Sequence, residues 1–207
     1  MGRFFEYLPY FTLKETIMLN AEMKTQLTEH FKAIENKITL SLFSSTHEKY
    51  DELKEMLESV ASCSENIEVI ENKQPSDLPQ FSILCNNTPT GINFKGIPGG
   101  HEFTSLILAI LNSAGLGKYP DEKIQQKIKS LQGPINIRTY VSLSCTNCPD
   151  VVQTLNLFAV INPGITHTTI DGGLAEEEIK KHNIQAVPVV FRENKMLHVG
   201  KAGISEL

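Results

Sequence analysis

Tyr140-Val141-Ser142-Leu143-Ser144-Cys145-Thr146-Asn147-Cys148-Pro149-Asp150 is the stretch whose reading decides the fold. It closes the alternating run "INIRTYVSL" (135–143), which reads as a strand, and two cysteines follow with two residues between them. Helical spacing begins at once, with Val151, Val152, Leu155, Phe158 and Ile161 along one side of residues 148–161. Pro149 suits a first helical turn, where its missing N–H removes no bond. The thiolate is the reactive form of cysteine, and free N–H groups at a helix start stabilise an anion. The spacing predicts Cys145 exposed at the strand end and Cys148 one turn in, more buried. Cys145 is then the attacking thiol, and Cys148 resolves a mixed disulfide formed on it.

Two blander readings compete with this one. A CxxC is also half of a zinc site, but Cys63 and Cys85 stand alone among the four cysteines, and none of the six histidines completes a C-x-x-H or H-x-x-H pair. The other is two unrelated buried cysteines. Downstream, Val187-Pro188 precedes "VVF". A proline there cannot donate to a ladder, so it suits a strand start or a cis turn. In the cis form, the Val187 backbone would lie beside the cysteines and pair with an incoming peptide.

Working outward, the second half (118–207) reads as helix 120–131, strand 135–143, helix 148–161, strand 165–171, short helix 175–183 and hairpin 187–200 turning at Glu193-Asn194. The first half (18–117) reads in the same order: helix 20–36, strand 37–43, helix 44–63, strand 67–71, strands 80–86 and 91–96 joined across "NTPT", and an apolar helix from His101. Each half is therefore expected to form a four-stranded mixed sheet flanked by helices, an α/β class, with the second half cut short at "ISEL". Residues 1–17 are set apart as a leader or N-terminal extension, with a second plausible start at Met18.

Composition narrows the function. The net charge of −5 argues against a general nucleic-acid surface, and no run approaches the ~20 apolar residues of a membrane span. No signal peptide is legible, so a cytoplasmic protein with reduced thiols is expected. No G-x-G-x-x-G follows a strand, so no dinucleotide fold is expected. Helix 103–111 and loop 96–100 of the cysteine-free half suggest a docking platform or dimer surface. Glu102 and His101, at a helix start after Gly99-Gly100, read on chemistry alone as capping or surface groups.

"VSLSCTNCPDV" with "AVPVVF" resembles the thioredoxin/glutaredoxin superfamily. "YVSLSCTNCPDVVQTLNLFAVINPGITHTTIDGG" and "GHEFTSLILAIL" are similar to the N-terminal domain of the flavoprotein subunit of bacterial alkyl hydroperoxide reductase, from about Met18 onward. That resemblance implies two tandem thioredoxin-like (glutaredoxin-like) folds, only the second keeping a CxxC. In the first, Phe43-Ser44-Ser45-Thr46-His47 has no cysteine. It implies an electron carrier that takes electrons from NADH through FAD and a flavoprotein disulfide reductase domain, and reduces a peroxiredoxin disulfide in support of hydroperoxide reduction. It also implies that Glu102 lies near the dithiol and assists proton transfer. The flavin domain would begin just after residue 207, so neither FAD nor NADH is expected on this chain. A homodimer through the full-length protein is also expected. The alternative is a general disulfide oxidoreductase or isomerase of the tandem-thioredoxin type, which usually keeps a CxxC in both halves.

Overall fold

The alternating periodicities are realised along residues 19–207, the part of the chain that the computed structural model describes; the 1–17 segment and the Met18 start lie outside it. The order is α1 (Ala21–Phe31), β1 (Ile38–Ser44), α2 (Tyr50–Ala61), β2 (Ile67–Pro75), β3 (Gln80–Cys85), β4 (Thr88–Lys95), α3 (Glu102–Ser113), α4 (Glu122–Ser130), β5 (Ile135–Val141), α5 (Cys148–Ile161), β6 (Ile165–Asp171), α6 (Glu176–Lys181), β7 (Val189–Arg192) and β8 (Lys195–Val199). Capping sets two of the starts. Asn20 Oδ1 accepts from the Met23 N–H at 2.9 Å, and Asp121 Oδ1 from the Ile124 N–H at 3.0 Å.

Several boundaries differ from the sequence expectation for local reasons. α2 starts at Tyr50, because Ser45 Oγ and His47 Nδ1 hold the His47 and Lys49 N–H groups in turns (3.2 and 3.1 Å) that compete with a helix. The β3–β4 turn falls at Asn86-Asn87, not across 87–90. Both residues take positive φ (49° and 62°), which a tight hairpin needs and asparagine tolerates. β4 therefore begins earlier, at Thr88.

The larger difference is at sheet level. Each half has the expected mixed pattern. β1 pairs parallel with β2 and antiparallel with β3, which pairs antiparallel with β4; β5 does the same with β6, β7 and β8. The two sheets are not separate. β4 and β6 pair in parallel from Ile92↔His167 to Lys95↔Ile170, giving one eight-stranded sheet in the order β2-β1-β3-β4-β6-β5-β7-β8. Joining the halves satisfies two edges that would otherwise stand unpaired. Gly91 marks the seam: at φ +81°, a Cβ there would lie 2.5 Å from the Ile165 carbonyl oxygen.

Packing also crosses the seam. Leu40, Phe81, Ile83, Ile92 and Phe94 build the first core with Leu57, Leu106 and Ile110, and Ala159 of α5 belongs to that same cluster. Each such fully buried aliphatic side chain contributes about 1.5–3 kcal/mol. α3 packs on α5. Nine of the twelve α3 residues are buried, so this helix is an internal strut and not the free docking face expected from its composition. On the other side of the sheet, Lys95 of β4 reaches Glu178 of α6 at 3.0 Å and Asp77 at 3.1 Å. Tyr140 donates to the same Glu178 carboxylate at 2.5 Å.

Candidate functional site

β5 lies inside the sheet and delivers the chain to the dithiol. The Cys145 N–H closes a turn on the Ser142 carbonyl at 2.9 Å, and α5 begins three residues later with Asn147 as its N-cap. Cys148 is thus the first helical residue, not one turn in as the spacing suggested. Cys145 is half-buried. Cys148 is 0 % exposed and packs on Val141 and Val152. Both thiols are free, so the geometry is that of the reduced pair.

Burial pushes the Cys148 thiol far above its ordinary range, and its hydrogen bond with Cys145 adds to this. A backbone hydrogen bond at Ser142 pulls it partly back, while negative charge on Cys145 and Glu102 raises it further. Cys148 is therefore held protonated until a base takes its proton.

Of the two forms open to Val187–Pro188, the bond takes the cis one. Val187 packs against the cysteine cluster, and Cys145 Sγ donates to the Val187 carbonyl at 3.8 Å. Pro79, which precedes β3 as Pro188 precedes β7, is trans, and Phe43-Ser44-Ser45-Thr46-His47 fills the first half's equivalent of the CxxC turn. Among the described residues, no three His, Cys, Asp or Glu side chains cluster so as to hold a metal ion.

Glu102 reaches the site from the other half. It opens α3, but it is 1 % exposed and neither caps the helix nor faces solvent, contrary to the reading from its position alone. Burial lifts its carboxyl from 4.5 to about 7. Nearby Ser105 favours the charged form slightly, yet neither oxygen has a partner of normal hydrogen-bond geometry among the described residues.

The Gly-rich loop before Glu102 fixes its approach. Gly100 has φ +54°, and a Cβ on it would sit 2.4 Å from the Leu143 carbonyl oxygen. That carbonyl accepts from the His101 N–H at 3.1 Å. The loop is thus seated directly on the backbone that leads into the dithiol.

Sequence reasoning passed over a buried polar group behind the site. His167 Nε2 and Thr139 Oγ1 are 2.8 Å apart, and His167 Nδ1 lies 2.7 Å from Asn156 Oδ1. With Asn156 Oδ1 accepting, Nδ1 carries the proton and Nε2 accepts from the Thr139 hydroxyl. Full burial lowers the imidazole to about 3, so it stays neutral. The signal was legible: in "ITHTTID", His167 and Thr169 share the inward face with Ile165, where a strand with one buried face calls for apolar residues.

The family model for a thioredoxin domain matches residues 135–206. Alkyl hydroperoxide reductase AhpF of Staphylococcus epidermidis is 43% identical over 190 residues, covering 92% of this chain and 37% of that protein. The chain thus spans little more than a third of the length of such curated relatives. The crystal structure of the N-terminal domain of alkylhydroperoxide reductase AhpF from Enterococcus faecalis superposes with a TM-score of 0.84 at 30% identity, covering 91% of this chain and 97% of that one. A protein disulfide oxidoreductase from Aeropyrum pernix shares the fold at a TM-score of 0.80, with 18% identity.

Fold and dithiol together define a tandem thioredoxin-fold protein of the thiol–disulfide oxidoreductase class. Within it, the identity to the Staphylococcus protein and the match over nearly all of the Enterococcus domain are specific. The chain belongs to the family of N-terminal domains of alkyl hydroperoxide reductase AhpF.

Proposed function

We propose that the chain is a dithiol electron carrier, reduced by a flavoprotein disulfide reductase domain and oxidised by a peroxiredoxin disulfide. The observation that carries this reading is the asymmetry of the pair: a half-exposed Cys145 beside the Val187 carbonyl, above a fully buried, protonated Cys148 within the field of Glu102. Cys145 attacks the partner disulfide, and its sulfur bonds to one partner sulfur while the other leaves as a thiolate. Glu102 then takes the Cys148 proton. The Cys148 sulfur bonds to Cys145, and the second partner thiolate leaves. Two electrons pass to the partner, and the chain is left with a Cys145–Cys148 disulfide. The Val187 backbone next to cis Pro188 aligns the incoming peptide as an added strand. FAD and NADH act on the reductase and not on this chain.

Stopped-flow mixing of the reduced chain with an oxidised peroxiredoxin tests the reading. Transfer should be complete in wild type and abolished in Cys145→Ser. Cys148→Ser should instead accumulate the mixed disulfide, visible as an adduct by mass spectrometry. Undiminished transfer by Cys145→Ser overturns the assignment.

A further inference from the structure

A base that takes a proton at every turnover must also release it, and Glu102 is sealed from solvent at 1 % exposure. Five buried side-chain polar atoms lack a partner among the described residues, and three of them, both Glu102 oxygens and Thr169 Oγ1, belong to residues lining one cavity. Lys95, Val141, Leu143 and Asp171 are among the other residues of its wall. It leaves about 10 Å³ in which the centre of a water can sit, about the least that one water needs, behind a largely apolar wall. Thr169 and Asp171 are two apart on β6, so both face the same side of the sheet. Thr169 is 4 % exposed, whereas Asp171, at the strand end, is partly exposed and accepts from the Gly173 N–H at 2.9 Å. Val141 lines the cavity and also packs on Cys148, so the dithiol and the cavity share a wall.

We propose that this cavity holds an ordered water that joins Glu102 to Thr169 and Asp171, and that this chain of hydrogen bonds carries the Cys148 proton from Glu102 out to solvent. Thr169 is a positioning residue: its hydroxyl holds the water and touches no reacting atom. Asp171 is the outer end. The inference rests on the dithiol reading above but not on the identity of the partner protein. During resolution, the proton passes from Cys148 Sγ to Glu102 as the Cys148–Cys145 bond forms and the bond from Cys145 to the partner sulfur breaks. It then moves through the water to Asp171 and bulk solvent, and Glu102 is again a carboxylate.

Dipyridyl disulfide tests this without a protein partner. In a Cys85→Ser background, which removes the other partly exposed thiol, the reduced chain should release two thiones in sequence. The first marks attack by Cys145 and the second resolution by Cys148, and two electrons move from the dithiol to the reagent. Thr169→Val, which keeps the volume and deletes the hydroxyl, should leave the first phase unchanged. It should slow the second about tenfold, short of the ~10²-fold expected on losing the base in Glu102→Gln. Thr169→Ser should restore the rate, and Asp171→Asn should slow the second phase while leaving the first intact. The second phase of wild type should show a solvent deuterium isotope effect that Thr169→Val alters. Magnetisation transfer from water to the Thr169 methyl should report the bound water directly. An unaltered second phase in both Thr169→Val and Asp171→Asn, or no water contact at Thr169, overturns the proton route. A wild type that never releases the second thione overturns the dithiol reading itself.

Discussion

Glu102→Gln should abolish an unusual loss of stability with rising pH. Burial holds the Glu102 carboxyl at about 7 against an ordinary 4.5. Between those values, the folded chain keeps a proton that the unfolded chain has released, so stability falls as pH rises through this window. At ~1.4 kcal/mol per pH unit, the interval amounts to about 3 kcal/mol. The sign is opposite to that of a salt-bridged carboxylate. His167 acts the other way: its imidazole is depressed from 6.5 to about 3, so stability is lost as pH falls through that range. The windows overlap, and wild type alone shows a partly cancelled profile. The difference between wild type and Glu102→Gln removes the His167 contribution. Urea unfolding of the reduced proteins by circular dichroism, from about pH 4 to about pH 8, measures it. The variant should gain about 3 kcal/mol on wild type across the range. A difference that stays constant with pH would refute the claim that an unpartnered, buried carboxyl titrates beside the dithiol.

Two further substitutions test how the halves hold the site. Gly100→Ala places a Cβ against the Leu143 carbonyl at a positive φ; a left-handed non-glycine residue costs roughly 1–2 kcal/mol before the clash is counted. Calorimetry should show a lower Tm, and slower thione release by Cys148 should show that the loop positions Glu102. Lys95→Met removes the cation that joins Asp77 of the first half to Glu178 of the second. Lys95 is 16 % exposed at its side chain, so the loss should be about 2 kcal/mol, in the range for a hydrogen bond to a charged group. Urea unfolding at low and high salt checks it, and a fall that high salt removes would assign the contact to a screened surface pair.

Local features of the chain were legible where one element explains itself. Residues 145–161 show both the CxxC and the apolar face of α5, and the helix occupies 148–161. The β6 limits and the hairpin turn at Glu193-Asn194 were equally readable from alternation and turn residues. Glu102 shows the opposite case. Its place at a helix start suggests a cap or a solvent group, and no local pattern shows that it is buried. Thr169 and Asp171 fall in the same class, since a threonine and an aspartate in a strand acquire meaning only from the cavity they line.

By itself the sequence determined the element order, the repeated β-α-β-β-β plan in each half and the dithiol with its following helix. These follow from periodicity, caps and turn residues, which act within a few residues of chain. Tertiary structure alone decided that β4 and β6 join the halves into one sheet, that α3 is an internal strut and that Gly100 seats its loop on Leu143. It also decided that Glu102 is buried where its charge acts on Cys148 of the other half. Each of these is a contact between segments far apart in the chain, set by packing and desolvation.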